Sequence, residues 1–311
     1  MGEWLESLAP WGTEAIIWTQ SLSNDWLDAV AIFFTSLGYK GVYLFVFPVV
    51  YWCIHKQIGV SLGYISLLSA WINSALKYTF RIPRPSDPRI RVLWPDPQPS
   101  FPSGHAQNAV VNWGYLAYRF RNRVFWVVAI IAIVGIGLSR VVVGVHYPQD
   151  VVAGWVIGLA VLVVFALAEP PVSRWVNRQG TAVQLVLAVG LPLVLIFLHP
   201  ADTLGRYPSE GAITAMSALA GLGVGVIMER AWVRFRVEGA WWRRVLRFLA
   251  GLIVVGVFYG APKLLLPDDL AYELEATVRF ARYALLGWAG AFLAPWLFVH
   301  LRLADRGSSG C

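Results

Sequence analysis

Three short stretches of the 311-residue chain carry side chains able to do chemistry together. Lys77 is followed seven residues on by Arg84-Pro85. Pro102-Ser103-Gly104-His105 stand together, and Ser139-Arg140 precede His146 and Asp150. Lys77, Arg84 and Arg140 supply fixed positive charge, and arginine forks match phosphate oxygens bidentately. Ser103 and Gly104 fall where a helix is expected to begin, so free backbone N–H groups and the helix dipole favour an anion there. Pro148 suits a first helical turn and sets Asp150 beside His146. Two histidines near one phosphate can divide the labour. His146, oriented and made more basic by Asp150, can attack phosphorus and form a phosphohistidine, while His105 protonates the leaving oxygen and later activates water. The cations stabilise charge on the equatorial oxygens, the main contribution a protein makes to phosphoryl transfer. No cofactor is called for: a magnesium site would need several carboxylates together, and Asp87, Asp96 and Asp150 are dispersed along the chain.

The elements that must position these residues are membrane helices. Hydrophobic residues make up 58% of the chain and charged ones 14%, with 16 tryptophans, a composition outside the range of ordinary soluble domains. Ionisable groups at the edge of hydrocarbon are expensive enough to imply function. The net charge of +7 does not point to nucleic acid, because the basic residues sit in short loops between apolar runs rather than along one face or tail. Cys53 and Cys311 form neither a metal-ligand pair nor a disulfide framework. The expected fold is an all-α integral membrane protein, a multi-span helical bundle. Residues 1–36 mix tryptophans and leucines with acids, a pattern suited to interfacial helices. A catalytic core of about five spans is expected over 37–168, a four-span bundle over 169–303, and a tail resembling a linker remnant over 304–311. About nine spans result: 37–54, 58–79, 104–119, 124–143, 150–168, 181–199, 211–229, 245–262 and 280–301. The N-terminus lacks the pattern of a cleavable signal peptide, so the first span is expected to direct insertion.

Loop charges set the orientation. The connections following odd-numbered spans, with the C-terminus, carry 14 basic and four acidic residues, against 11 and 14 on the other side. The positive-inside rule puts the first set in the cytoplasm and the candidate site outside. Arginine outnumbers lysine 21 to 4, in keeping with a GC-rich bacterial source, so the expected location is a bacterial inner (cytoplasmic) membrane.

At these residues the chain resembles the type 2 phosphatidic acid phosphatase superfamily, whose pattern is Lys-x6-Arg-Pro, then Pro-Ser-Gly-His, then Ser-Arg-x5-His-x3-Asp. Every position is present, from Lys77, Arg84 and Pro85 through Pro102–His105 to Ser139, Arg140, His146 and Asp150, with intervening gaps of 16 and 33 residues. The resemblance covers about residues 37–168 and implies a metal-independent phosphatase. In it His146 would be the nucleophile, His105 the acid and Asp150 the group that orients His146, with Lys77, Arg84, Ser103, Gly104 and Arg140 holding phosphate. The expected substrate is a lipid phosphate or polyprenyl diphosphate, such as undecaprenyl diphosphate, at the outer leaflet. Nine apparent spans with the motif in the first five also look like glucose-6-phosphatase, which takes a soluble ester. The soluble vanadate-dependent haloperoxidases of the superfamily fit poorly with so many spans. A transporter or flippase for a phosphate lipid would need the cations but no oriented nucleophile, so the His146–Asp150 pair argues against it. Membrane lipids and the phosphorylated substrate are the expected partners; oligomeric state is left open.

Single residues elsewhere read as ordinary membrane chemistry. His55, His199 and His300 are expected at interfaces, Arg81, Arg89 and Arg91 near headgroups, and Trp71, Trp113 and Trp155 in packing or aromatic belts. The cluster from Arg234 to Arg247 is expected to set topology.

Overall fold

The computed structural model describes residue 4, residues 7–265 and residues 271–307, with side chains for all of these except 40 and 261–265. Four expectations fall partly outside that range: residues 1–3, 5 and 6 of the interfacial segment 1–36, residues 266–270 of the 169–303 bundle and 308–311 of the tail are not described, and 261–262 of the 245–262 span lack described side chains. The described chain is helical, with one isolated bridge between Phe235 and Arg306.

Two short helices, α1 (Ala9–Ser21) and α2 (Asp25–Leu37), come first. Asn24 caps α2 by accepting a hydrogen bond from the Leu27 amide at 3.0 Å, and Asp25 and Asp28 complement the helix dipole in its first turn. Then follow α3 (Lys40–Pro48), continuing as one π turn over Val49–Ile54, α4 (Lys56–Phe80), α5 (Gly104–Phe120), α6 (Arg123–Val142) and α7 (Pro148–Asn177). The remainder is α8 (Thr181–Leu198), α9 (Glu210–Met228), α10 (Trp241–Leu265), α11 (Tyr272–Trp288) and α12 (Ala294–His300).

The chain divides into two compact units. One comprises Met1–Tyr43, Ser69–Leu167 and Thr203–Gly205. In it α6 packs against α1, α2 and α5. Ile16 of α1, Ala106 of α5, Val141 of α6 and Val151 of α7 join Ile90 and Tyr147 in one buried cluster. The other comprises Leu44–Leu68, Ala168–Asp202 and Arg206–Cys311. There α9, rich in glycine and alanine, packs against α8 and α11, as small residues allow in membrane helices. Two of its buried charged groups find partners inside the unit. Arg247 donates to the carbonyls of Trp52, Arg236, Val237 and Glu238, and Glu229 pairs with Lys56 and accepts from the Phe235 amide at 2.9 Å. Arg247 is therefore a structural clamp rather than one of the exposed cations of its cluster.

Nine spans were expected. Among the described residues six helices are long and apolar enough to cross a membrane, or seven if the bent pair Asp25–Leu37 and Gly41–Ile54 is one broken span. The six are Lys56–Phe80, Arg123–Val142, Pro148–Asn177, Thr181–Leu198, Glu210–Val233 and Tyr272–His300. The differences have local causes. Residues 40–54 pass through Pro48 and a π turn, and the pair they form with α2 bends by 53°. Helix α5 has 17 residues and buries Gln107 and Asn112, which makes it the shortest and most polar of α4 to α7. Helix α10 opens with Arg243, Arg244 and Arg247. With these spans the chain is built as an integral membrane protein.

Candidate active site

The residues singled out from sequence lie in one unit, at the ends of four helices. Lys77 is in the last turn of α4 and Arg84 four residues beyond that helix. Ser103 caps α5, its Oγ accepting from the Ala106 amide at 3.4 Å, and Gly104 and His105 begin the helix. Arg140 is in the last turn of α6, His146 in the loop that follows, and Asp150 in the first turn of α7, which opens at Pro148. Each helix end contributes what its position favours: cations at C-termini and free amides at an N-terminus.

Two glycines make the turns possible. Gly144 has φ +75°, and a Cβ there would lie 2.4 Å from the Arg91 carbonyl oxygen, so the sharp reversal that presents His146 admits no side chain. At Gly104 a Cβ would come within 2.7 Å of Asn73 Oδ1. Asn73 uses its Nδ2 to donate to Gln107 Oε1 at 2.9 Å and to the Pro102 carbonyl at 3.3 Å. Gln107 in turn donates to the Ser69 carbonyl and hydroxyl, both at 3.0 Å. This network between α4 and α5 holds the start of α5 in place, and the Ser103 amide donates to the Asp150 carbonyl at 3.0 Å, tying that start to α7.

His146 and Asp150 are both about 1% exposed, which makes their partners decisive. His146 Nδ1 lies 3.3 Å from Asp150 Oδ2. The same carboxylate oxygen accepts from the Tyr147 amide at 3.0 Å and from Ser100 Oγ, which also lies 3.3 Å from His146 Nδ1. On the other edge of the ring, Arg84 Nη1 sits 3.2 Å from His146 Nε2. These partners fit the neutral tautomer with the proton on Nδ1, shared with Asp150, and the lone pair on Nε2 facing the guanidinium. Burial pushes the His146 imidazole well below its ordinary range, and the charges of Arg84, Lys77, Arg140 and His105 push it further. An unprotonated Nε2 is the form a nucleophile needs. His105 is close enough to contribute to that shift, and its ring packs against Gly38.

The cations differ in how they are held. Lys77 Nζ donates to the Pro99 carbonyl and, at 3.2 Å, to the Ser100 carbonyl. Arg84 donates to the carbonyls of Gln98 at 2.6 Å and Val145 at 2.8 Å, joining the loop before α5 to the loop that carries His146. Its Nη2 lies 2.9 Å from Asp96 Oδ2. Arg140 is fully buried, yet none of its three guanidinium nitrogens makes a hydrogen bond to any described residue. The Asp96 oxygen is 3.9 Å from its Nη2. Buried guanidinium donors are costly to leave unmade. Their arrangement next to His146 suits an oxyanion that offers several acceptor oxygens at once.

Residues 58–174 match the family model "PAP2 superfamily", and residues 213–306 match "PAP2 superfamily phosphatase, transmembrane extension". The chain carries a PAP2 superfamily domain followed by the PAP2 transmembrane extension. The PAP2 domain match begins in α4 and ends in α7, so it contains every candidate site residue. Among curated relatives, the chain is 29% identical to "Glucose-6-phosphatase 3" of Homo sapiens over 57% of its own length and 59% of the relative's. It is 33% identical to "Undecaprenyl-diphosphatase" of Sulfolobus acidocaldarius over 33% of its length and 51% of the relative's. Mouse "Sphingosine-1-phosphate phosphatase 1" is 24% identical over 87% of this chain and 71% of the relative. The chain thus spans between half and three-fifths of the first two relatives. A solved "transmembrane PAP2 type phosphatidylglycerolphosphate phosphatase from Bacillus subtilis" aligns at a TM-score of 0.47 and 22% identity, over 53% of this chain and 86% of that one.

Four residues that matter to this geometry carry no motif: Asp96, Ser100, Asn73 and Gln20. Asp96 and Ser100 lie in a stretch dense in proline, Pro95-Asp96-Pro97-Gln98-Pro99-Ser100. Such restricted backbone can hold polar side chains in place, and that was the available signal. Gln20 lies outside the PAP2 match. Its side chain donates to the carbonyls of Arg91 and Val142 and accepts from the Arg91 amide, tying the segment that follows Arg84 to the C-terminal end of α6, just before the loop of His146. Its signal was a polar residue in register with Gly12 and Ile16 on the buried stripe of α1.

Proposed function

We propose that the chain is a membrane phosphatase that releases phosphate from a phosphorylated lipid through a phosphohistidine on His146, without a metal. The observation that carries this reading is the buried guanidinium of Arg140, without a hydrogen-bond partner among the described residues, beside a neutral histidine backed by a carboxylate. Phosphate enters between Arg84 and Arg140, with the amides at the start of α5 offering further donors. His146 Nε2 attacks phosphorus and the bond to the leaving oxygen breaks, while His105 supplies that oxygen with a proton. The imidazolium Nδ1–H remains bonded to Asp150, which stabilises the positive charge forming on the ring. Water then attacks the phosphohistidine with His105 as base, restoring neutral His146 and yielding inorganic phosphate.

A lipid phosphate is favoured because the site residues sit at the ends of apolar helices, at the depth of a headgroup. The relatives named for undecaprenyl diphosphate and sphingosine 1-phosphate fall in the same class. The relative named glucose-6-phosphatase keeps a soluble ester as the second reading. The charge asymmetry of the loops, read with nine spans, favours an outward-facing site, and the arginine-rich composition favours a bacterial inner membrane. On this reading the protein is a dephosphorylating enzyme of the outer leaflet.

The test is phosphate release by the purified chain, in detergent and in EDTA, from polyprenyl diphosphates, phosphatidic acid, sphingosine 1-phosphate and glucose 6-phosphate. Activity on a lipid, inhibition by vanadate, and acid-quench capture of phosphate that survives in His105→Ala with an activated aryl ester but not in His146→Ala are expected. Phosphoenzyme in His146→Ala would overturn the assigned roles, and activity that EDTA abolishes and magnesium restores would overturn the metal-free step.

A further inference from the structure

We propose that Asp96 is a resident competitor for the phosphate site: its carboxylate occupies one oxygen position between Arg84 and Arg140, and phosphate binds only as it withdraws. The inference rests on reading this pocket as a phosphate site. Asp96 Oδ2 lies 2.9 Å from Arg84 Nη2 and 3.9 Å from Arg140 Nη2, on the two cations that an incoming phosphate would bridge. The fit is incomplete. It fails at Arg140, where none of the three guanidinium nitrogens makes a hydrogen bond to a described residue, so the carboxylate engages Arg84 closely but meets only the charge of Arg140. A phosphate group, with three oxygens directed outward, can satisfy both.

The carboxylate also has a way out. Asp96 is on a loop rather than a helix, its side chain is 24% exposed, and it lines an open cleft of about 380 Å³ shared with Arg81, Pro83, Arg84, Pro97 and Gln98. Asp96 Oδ1 accepts from the Gln98 amide at 3.1 Å, which anchors one oxygen and leaves the other to the arginines. Asp150, the other carboxylate at the site, is committed to Ser100, Tyr147 and His146 and stays in place.

The exchange has a kinetic use. Three buried or half-buried cations beside one anion would retain product phosphate, and ground-state affinity of that kind slows turnover without helping the chemical step. With Asp96 present, each phosphate that binds displaces an anion and each that leaves is replaced by one. Binding is weakened in the ground state while the cations remain available to the transition state.

The experiment measures binding of inorganic phosphate and of vanadate to the purified full-length chain in detergent, by ligand-dependent thermal unfolding and by competitive inhibition. Asp96→Asn keeps the size and the Oδ1 acceptor but loses the charge. The expected result is a Kd for phosphate at least 10-fold lower than wild type, with KM and kcat both reduced as product release slows. Asp96→Ala should move in the same direction, which keeps the test open should the asparagine variant fold poorly. Asp87→Asn removes an acid of the same connecting segment that pairs with Arg89 instead, and it should leave the Kd unchanged; an equal shift there would reduce the effect to net charge and overturn the proposal. Equal binding by wild type and both Asp96 variants, or weaker binding by the variants, would overturn the role of Asp96 alone. No binding of either anion by any form would overturn the phosphate-site reading itself.

Discussion

Replacing Arg140 with methionine should raise the thermal stability of the ligand-free protein while removing its affinity for phosphate. The guanidinium is fully buried, makes no hydrogen bond to a described residue, and has its nearest carboxylate oxygen 3.9 Å away. A buried donor left unmade costs about 1–3 kcal/mol, and replacing poorly compensated buried ions by apolar groups of similar volume has been neutral or stabilising by about 1–4 kcal/mol. Methionine retains most of the aliphatic stem, which packs in the last turn of α6, so the packing loss is small. A gain of about 2 kcal/mol corresponds, for a chain of this size, to roughly 3 °C in apparent Tm. Phosphate should reverse the order. At 100 times its Kd a ligand stabilises the wild type by about 2.7 kcal/mol, whereas Arg140→Met gains nothing from it. The assay is thermal unfolding of both proteins at one scan rate, with and without phosphate, alongside phosphate release. A variant that melts well below wild type in phosphate-free buffer would show that Arg140 is held for structure, and an undiminished phosphate effect would show that the anion binds elsewhere.

Two further outcomes are expected. Ser100→Ala removes one of the hydrogen bonds that fix Asp150 against His146; a bond to a charged group is worth about 1.5–3 kcal/mol, so kcat for phosphate release should fall roughly 10- to 100-fold with KM little changed, and a fall of less than twofold would exclude Ser100 from positioning the pair. Ser86 is exposed in the loop after Arg84; in a chain lacking Cys53 and Cys311, Ser86→Cys should react with an impermeant thiol reagent added to intact cells, and labelling only after lysis would reverse the orientation read from loop charge.

Ser100 and Asp96 also mark how far residue order alone can reach. The spacing of Lys77, Arg84, Ser103–His105, Arg140, His146 and Asp150 was legible because each is tied to a local event: a helix C-terminus, a helix N-cap, or an i,i+4 pair at the start of a helix. Helix type and most helix ends were legible for the same reason, since apolar period and capping are properties of neighbours in sequence. The all-helical membrane class and the family followed from these signals without any knowledge of packing.

The tertiary structure decided what depends on neighbours distant in sequence. Gln107, a polar residue in an apolar run, turns inward to join Asn73 and Ser69 of α4; hydropathy counted along the chain cannot tell such a packed polar face from a defect. Gln20, about 120 residues from Val142, ties the Arg91 segment to the end of α6, a meeting no local pattern announces. Asp96 looked dispersed because it is far in sequence from Arg140, yet the path of the proline-rich loop carries it to the two arginines. Charge type and local geometry are written in the order of residues. Which carboxylate stands opposite which cation is set by how loops close over the helix ends, where the energies of many long-range contacts act together.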